Sequence, residues 1–194
     1  MTRHKSRKRE SLKPRPRPGL PIIKVDKKMA AQSQLETAIK LWFQNDDPIA
    51  IHALASAAHD LLNLMSSQIG KPSEWEAALE KMPDEVRSRA RYFQNFIKHG
   101  FKDLKGDVEY GVQHGELLMF FAVDCYANLF PLTPLMHLFV FRLLVENPEF
   151  RTESGQRKVD QFGHSDQISR QDFLDHLLPV MERRLHSRSP PEKP

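Results

Sequence analysis

Apolar residues recur along this chain at steps of three and four and nowhere alternate with polar ones over a convincing run. That period predicts amphipathic helices and no sheet. The first helix is expected from about Lys28 to Gln44, with Leu35, Ala38, Ile39, Trp42 and Phe43 on one side and Glu36 four residues before Lys40 on its flank. Asp47 followed by Pro48 marks a second start, an acidic cap and then a proline in the first turn. The second helix runs to about Ile69 and carries Ile51, Leu54, Ala58, Leu61 and Met65 as its core stripe. Beside that stripe lie His52, Ala55, His59 and Leu62, so both histidines border the buried face. Gly70, Lys71 and Pro72 stop it. Ser73 with Glu76 reads as a capping box for a short helix through Trp75, Ala78 and Leu79.

The stretch from Arg87 to Gly100, RSRARYFQNFIKHG, is read as the helix around which the chain is organised. At about 100° per residue, Arg91, Asn95, Lys98 and His99 share one side, and Val86, Ala90, Phe93, Phe96 and Ile97 fill the other. Gly100 ends it, 101–107 is loop, and Val108 to Val112 reads as briefly extended. A strongly apolar helix follows from about His114 to Phe130, and another from Thr133 and Pro134 to about Asn147. The latter, LMHLFVFRLLV, is apolar nearly all round and is expected to be the most buried helix. Residues 151–168 are polar and aperiodic. A last helix from Ser169 carries Phe173, Leu174, Leu177, Leu178 and Met181, with Pro179 expected to kink or shorten it.

The architecture that follows is all-α, a single helical bundle over 29–186, flanked by a disordered basic arm at 1–28 and a disordered tail at 187–194. Charge sharpens this division. Residues 1–28 hold eleven Lys or Arg against Glu10 and Asp26, a net +9, which leaves the remaining chain near −5 although the whole is +4. The arm includes Pro14, Pro16, Pro18 and Pro21 and no aromatic residue. It is expected to be extended and solvated, and any contact with nucleic acid would be through phosphates and blind to sequence.

No apolar core follows the charged start, so no signal peptide is expected. Leu117 to Val145 is apolar but holds Asp124, Asn128, Pro131, Pro134, His137 and Arg142, which argues for two core helices rather than a membrane span. The single Cys125 excludes an internal disulfide and suits a reducing cytoplasm.

Several chemistries lack their signatures: there is no Gly-rich phosphate loop, GxSxG, HExxH, CxxC or GxGxxG. His52 and His59 are two helical turns apart, about 10.5 Å, too far to share one metal alone. They are expected as satisfied histidines at the core border, with His114 and His137 weaker candidates, and no metal or cofactor is expected. Asp124 inside an apolar helix calls for an Arg or His partner on a neighbouring helix. The remaining signal is His99 with Asn95, Lys98 and Arg91. An imidazole can move a proton near neutrality, an ammonium can neutralise a phosphate and an amide can orient either, the parts of metal-free RNA cleavage. The same residues also read as a solvated face whose positive charge complements the helix dipole.

The segments QLETAIKLWFQNDDPIAIHALASAAHDLL and ARYFQNFIKHG resemble a group of small bacterial all-α proteins without an assigned activity. The layout is distantly similar to the HEPN superfamily, the higher eukaryote and prokaryote nucleotide-binding domains, over roughly residues 30 to 130. The resemblance implies an all-α bundle and, for many members, metal-independent endoribonuclease activity in toxin–antitoxin or phage-defence systems, often as a dimer with a shared cleft. The family signature is an Arg followed after four to six residues by His. Here His99 stands for the histidine, while Tyr92, Phe93 and Gln94 occupy the positions for Arg. Arg91 lies further off, and Lys98 would have to supply the phosphate contact. Two functions are therefore carried forward: RNA binding or cleavage at His99, Asn95, Lys98 and Arg91, and a noncatalytic module that binds a protein partner.

Overall fold

The computed structural model describes residues 22–71, 73, 77, 80–81, 83–98, 106–148, 151, 156–157, 159 and 167–186. Among them are six helices and no strand: α1 (Lys27–Phe43), α2 (Pro48–Gln68), α3 (Asp84–Lys98), α4 (Gln113–Leu129), α5 (Pro134–Glu146) and α6 (Arg170–His186). The all-α bundle expected from the periodicity is the observed class. The basic arm up to residue 21, the helix through Trp75, Ala78 and Leu79 with its Glu76 cap, the stop at Gly100, the 101–105 loop, most of 151–166 and the tail from 187 lie outside the described residues.

Side-chain caps set most of the helix starts. Asp26 accepts the Met29 amide at 2.7 Å, so α1 starts at Lys27, one residue before the expected start at about Lys28. Asp47 accepts the Ile49 amide at 2.8 Å with Pro48 in the first turn, and Thr133 accepts from Met136 at 3.4 Å ahead of Pro134. Each side-chain oxygen occupies an amide that the helix cannot satisfy itself. Between α1 and α2 the reversal passes through Asn45 at φ 52°, a left-handed conformation that Asn tolerates. Gly70, at φ 73°, closes α2, with Gly70 N–H on the Ser67 carbonyl and Lys71 N–H on the Ser66 carbonyl. This is the paired-bond stop that favours glycine.

The main core is built by α1, α2, α4, α5 and α6. α1 packs against the other four of these helices, and α2 lies along both α1 and α4. Trp42 is its hub: the indole meets Phe43 and Phe139 edge-on, each at 5.0 Å between centroids, and Phe43 stacks on Phe173 of α6. Burying aromatic rings of this size contributes more per residue than any aliphatic position. None of the described side chains of α3 belongs to this core. The helix expected to organise the chain is peripheral, packed chiefly on α2 through buried Phe93, with Phe96 and Ile97 half-buried and the Val86 and Ala90 side chains outside the described residues. It also begins one turn earlier than the pattern suggested, at Asp84, because Pro83 leaves an acidic first turn of Asp84 and Glu85 free to form.

Two further expectations are corrected. α6 runs through Pro179 to His186. Pro179 costs the bond to the Asp175 carbonyl, but both residues are exposed, so water can take that carbonyl and the helix continues. Val108 to Val112, read as briefly extended, form no strand. α5 is densely buried through Leu135, Met136, Leu138, Phe139, Arg142, Leu143 and Val145, yet not all round: His137 is exposed, and Val140, Phe141 and Leu144 open onto a groove. Arg151 turns back onto its end, donating to the Leu144 carbonyl at 2.6 Å and the Val145 carbonyl at 2.7 Å. A cation there satisfies orphan carbonyls and complements the helix dipole.

Candidate functional site

The outward face of α3 follows from what its inward face holds. Phe93 sits under the His52 ring, 4.8 Å away edge-on, and Gln94 donates to Asp60 of α2 at 3.0 Å. With those two fixed, Arg91 and Asn95 fall one turn apart on the exposed side, where they line a recess of about 400 Å³ with Glu80, Asp84, Arg87 and Ser88. Arg87 forms an ion pair with Asp84. Two carboxylates thus share the recess with two guanidiniums, so its charge is mixed rather than cationic. His99 and the Lys98 side chain lie outside the described residues. Of the four residues predicted as a site, the structure brings Arg91 and Asn95 together.

A second cluster was not legible in the sequence. Tyr110, in the segment before α4, stacks on Phe93 with centroids 3.9 Å apart, and its hydroxyl lies 3.3 Å from Nδ1 of His52. His52 is buried, with its ring edge-on to both aromatics. The close approach of Tyr110 requires Gly115, since a Cβ there would stand 2.8 Å from the phenol oxygen. Burial pushes the Tyr110 hydroxyl up to about 12, opposed by a hydrogen bond from the Gly115 backbone and reinforced by the nearby Glu116 charge. The ring is therefore neutral at physiological pH and serves to tie α2, α3 and the start of α4 together. Because the folded value lies above the unfolded value near 10, the unfolded chain releases this proton first. Stability is expected to fall between pH 10 and about 12, and Tyr110→Phe should weaken that fall in alkaline unfolding followed by circular dichroism.

The third cluster is ionic and joins four helices. Arg170 of α6 sits over the Trp42 ring, its Cζ 3.9 Å from the centroid. Its Nη2 reaches Glu116 of α4 at 2.9 Å and Glu146 of α5 at 2.5 Å, and its Nε is 3.0 Å from both Glu146 oxygens. Trp42 Nε1 donates to Glu116 at 2.7 Å. Arg142, buried on α5, donates to Glu146 at 2.7 Å and to the Ile168 carbonyl at 3.0 Å. Burial alone would raise the Glu146 carboxyl, but hydrogen bonds and charge from Arg170 and Arg142 outweigh it and hold the group below its usual range. The Arg170 guanidinium, opposed by burial, is raised by Glu146 and Glu116. The signal available in the sequence was Arg142 and Glu146, four apart in a helix with no other charge. Nothing marked Glu116 or Arg170 as their partners.

The other singled-out residues sit at different depths in the bundle. His59 is buried with Nε2 3.1 Å from the Ser73 hydroxyl, and the Ser73 amide donates to Asn63 at 3.1 Å. Asp124 is half-buried on α4, Cys125 is fully buried, and His114 is exposed near the Tyr110 ring. Among the described residues no three His, Cys, Asp or Glu are placed to share a metal ion, and no helix is long and apolar enough to cross a membrane.

A groove of about 470 Å³ opens between α5 and α6. Leu138, Phe141 and Leu144 form one wall and Leu177, Val180 and Met181 the other, with His137 and Arg184 at the rim. It is lined mostly by hydrocarbon and is of a size that takes ligands or a short apolar segment. Compared with family models, characterised proteins and solved structures, the chain matches none.

Proposed function

We propose that this protein is a noncatalytic interaction module that receives an aliphatic protein segment in the groove between α5 and α6. The observation that carries this reading is the groove itself. Contiguous hydrocarbon left open to water is unfavourable, and surfaces of this kind mark binding sites. The titratable groups of the two inner clusters, by contrast, are occupied in holding helices together: Glu116, Glu146, Arg142 and Arg170 neutralise one another, and Tyr110 and His52 pack as rings. In this reading the single buried Cys125 remains a thiol in a reducing cytoplasm.

The test is a photo-crosslinking residue at Val180 in the full chain, with the same residue at exposed Lys40 of α1 as control. A discrete protein adduct from Val180 and none from Lys40 is the expected result. No adduct from Val180 would overturn the assignment of the groove.

A second reading is supported by the exposed placement of Arg91 and Asn95 on one side of α3 and by the HEPN resemblance: RNA binding or metal-independent cleavage, with His99 as the proton carrier and Lys98 beside it. In this reading the full chain cuts labelled RNA in EDTA, and His99→Ala abolishes cleavage while leaving the circular dichroism spectrum unchanged. Equal cleavage by the wild type and His99→Ala, or none by either, rejects it.

A further inference from the structure

The groove between α5 and α6 has an unpartnered counterpart on the same chain. Ahead of α1, Ile22, Ile23 and Val25 are 68, 80 and 54% exposed, and the first two are the most exposed large apolar side chains described. They form a strap without regular structure that ends at the Asp26 cap. Laid extended into a groove, the segment places Ile23 and Val25 on one side and Lys24 on the other, because alternate side chains of an extended chain share a side. Just past the strap, Lys28 Nζ lies 4.8 Å over the Phe130 ring, and Leu132, two residues beyond Phe130, lines the groove.

Two complementary apolar elements thus sit at neighbouring places and do not meet. None of Ile22, Ile23 and Val25 lines the groove of its own chain. We propose that the occupant is the strap of a second copy: two chains associate about a twofold axis near Phe130 and Leu132, each laying Ile23 and Val25 into the other's groove. Five extended residues reach about 17 Å, the span each strap has for crossing into the partner's groove. Exchange about a twofold fills both grooves at once and leaves no open end, which is the closed arrangement expected of a homodimer. This inference rests on the groove being a binding surface and adds the identity of what binds.

The experiment uses the full chain. Sedimentation velocity across a dilution series is expected to show a reversible monomer–dimer equilibrium. Ile23→Asp, at a position exposed in the single chain and so without effect on its fold, is expected to raise the dimer dissociation constant at least about 100-fold, since one substitution removes two buried isoleucines from the pair. Mixing Ile23→Cys chains with Val180→Cys chains under mild oxidation should give a disulfide-linked heterodimer on a non-reducing gel, with buried Cys125 unreactive. A chain monomeric at every concentration overturns strap exchange. So does a dimer indifferent to Ile23→Asp, and so does a double variant, Ile23→Cys with Val180→Cys, that closes its disulfide within one chain. A heterologous adduct from the Val180 crosslinker together with a monomeric chain would sink the exchange while leaving the interaction-module reading standing.

Discussion

Trp42→Ala is expected to lower the unfolding free energy by about 3 to 5 kcal/mol, the cost of deleting a large aromatic from a packed core. That is a large fraction of the roughly 5 to 15 kcal/mol by which domains of this kind are stable. Three losses coincide at this position. The indole is 2% exposed and meets Phe43 and Phe139, its Nε1 satisfies Glu116, and its face supports the Arg170 guanidinium. Trp42→Phe separates them, because a phenyl ring keeps much of the packing and the cationic contact but leaves the Glu116 oxygen one donor short. Its expected cost is about 1.5 to 3 kcal/mol, the range for a hydrogen bond to a charged group. Urea unfolding followed by circular dichroism measures both. Equal midpoints for wild type and Trp42→Phe would show that the indole N–H contributes nothing.

Arg170→Met is the second large effect. It leaves Glu116 and Glu146 with Arg142 as the remaining cation of the four-residue cluster, an uncompensated carboxylate in a mostly buried place, and is expected to cost about 3 kcal/mol or more at neutral pH. Arg170→Lys is expected to recover little of this, since one ammonium cannot bridge two carboxylates with the guanidinium's fork of donors and also cover the indole. The pH dependence carries the sharper signature. In the wild type the Glu146 carboxyl is held below its usual range, so the unfolded chain binds this proton more readily. Its contribution is complete above the unfolded value near 4.3 and is lost as pH falls from there through the depressed folded value. In Arg170→Met that depression is largely gone and protonation relieves the excess charge. The deficit relative to wild type should therefore shrink as pH is lowered from 7 toward 4, and a constant deficit across that range would place the effect in packing rather than charge.

The local features of this fold were readable from local chemistry. Asp47–Pro48, Thr133–Pro134 and Gly70 punctuate the chain because capping and left-handed turns depend on residues within a few positions of one another. What escaped depends on which helix faces meet. The α3 segment shows the strongest division into apolar and polar sides, and that division was taken for centrality, whereas a sharply two-sided helix is one that lies at the edge with half its surface wet. α1, the true hub, looks less two-sided because it is contacted from several directions. Glu116 and Arg170 are 54 residues apart and were invisible as a pair, while Tyr110 reads as an ordinary loop aromatic until Gly115 is seen to make room for it. Pro179 misled because a proline's effect depends on whether the carbonyl it orphans faces solvent or core.

The guanidinium of the last described helix covers the indole of the first, across 128 positions of sequence. During synthesis one face of that ring therefore stays uncovered even after Phe139 of α5 has reached it, until Arg170 follows. α1 and α2 can pair as they emerge, but the lid over Trp42 arrives late. A nascent chain halted before Arg170 is left with an exposed greasy surface, which makes it a natural client for a chaperone.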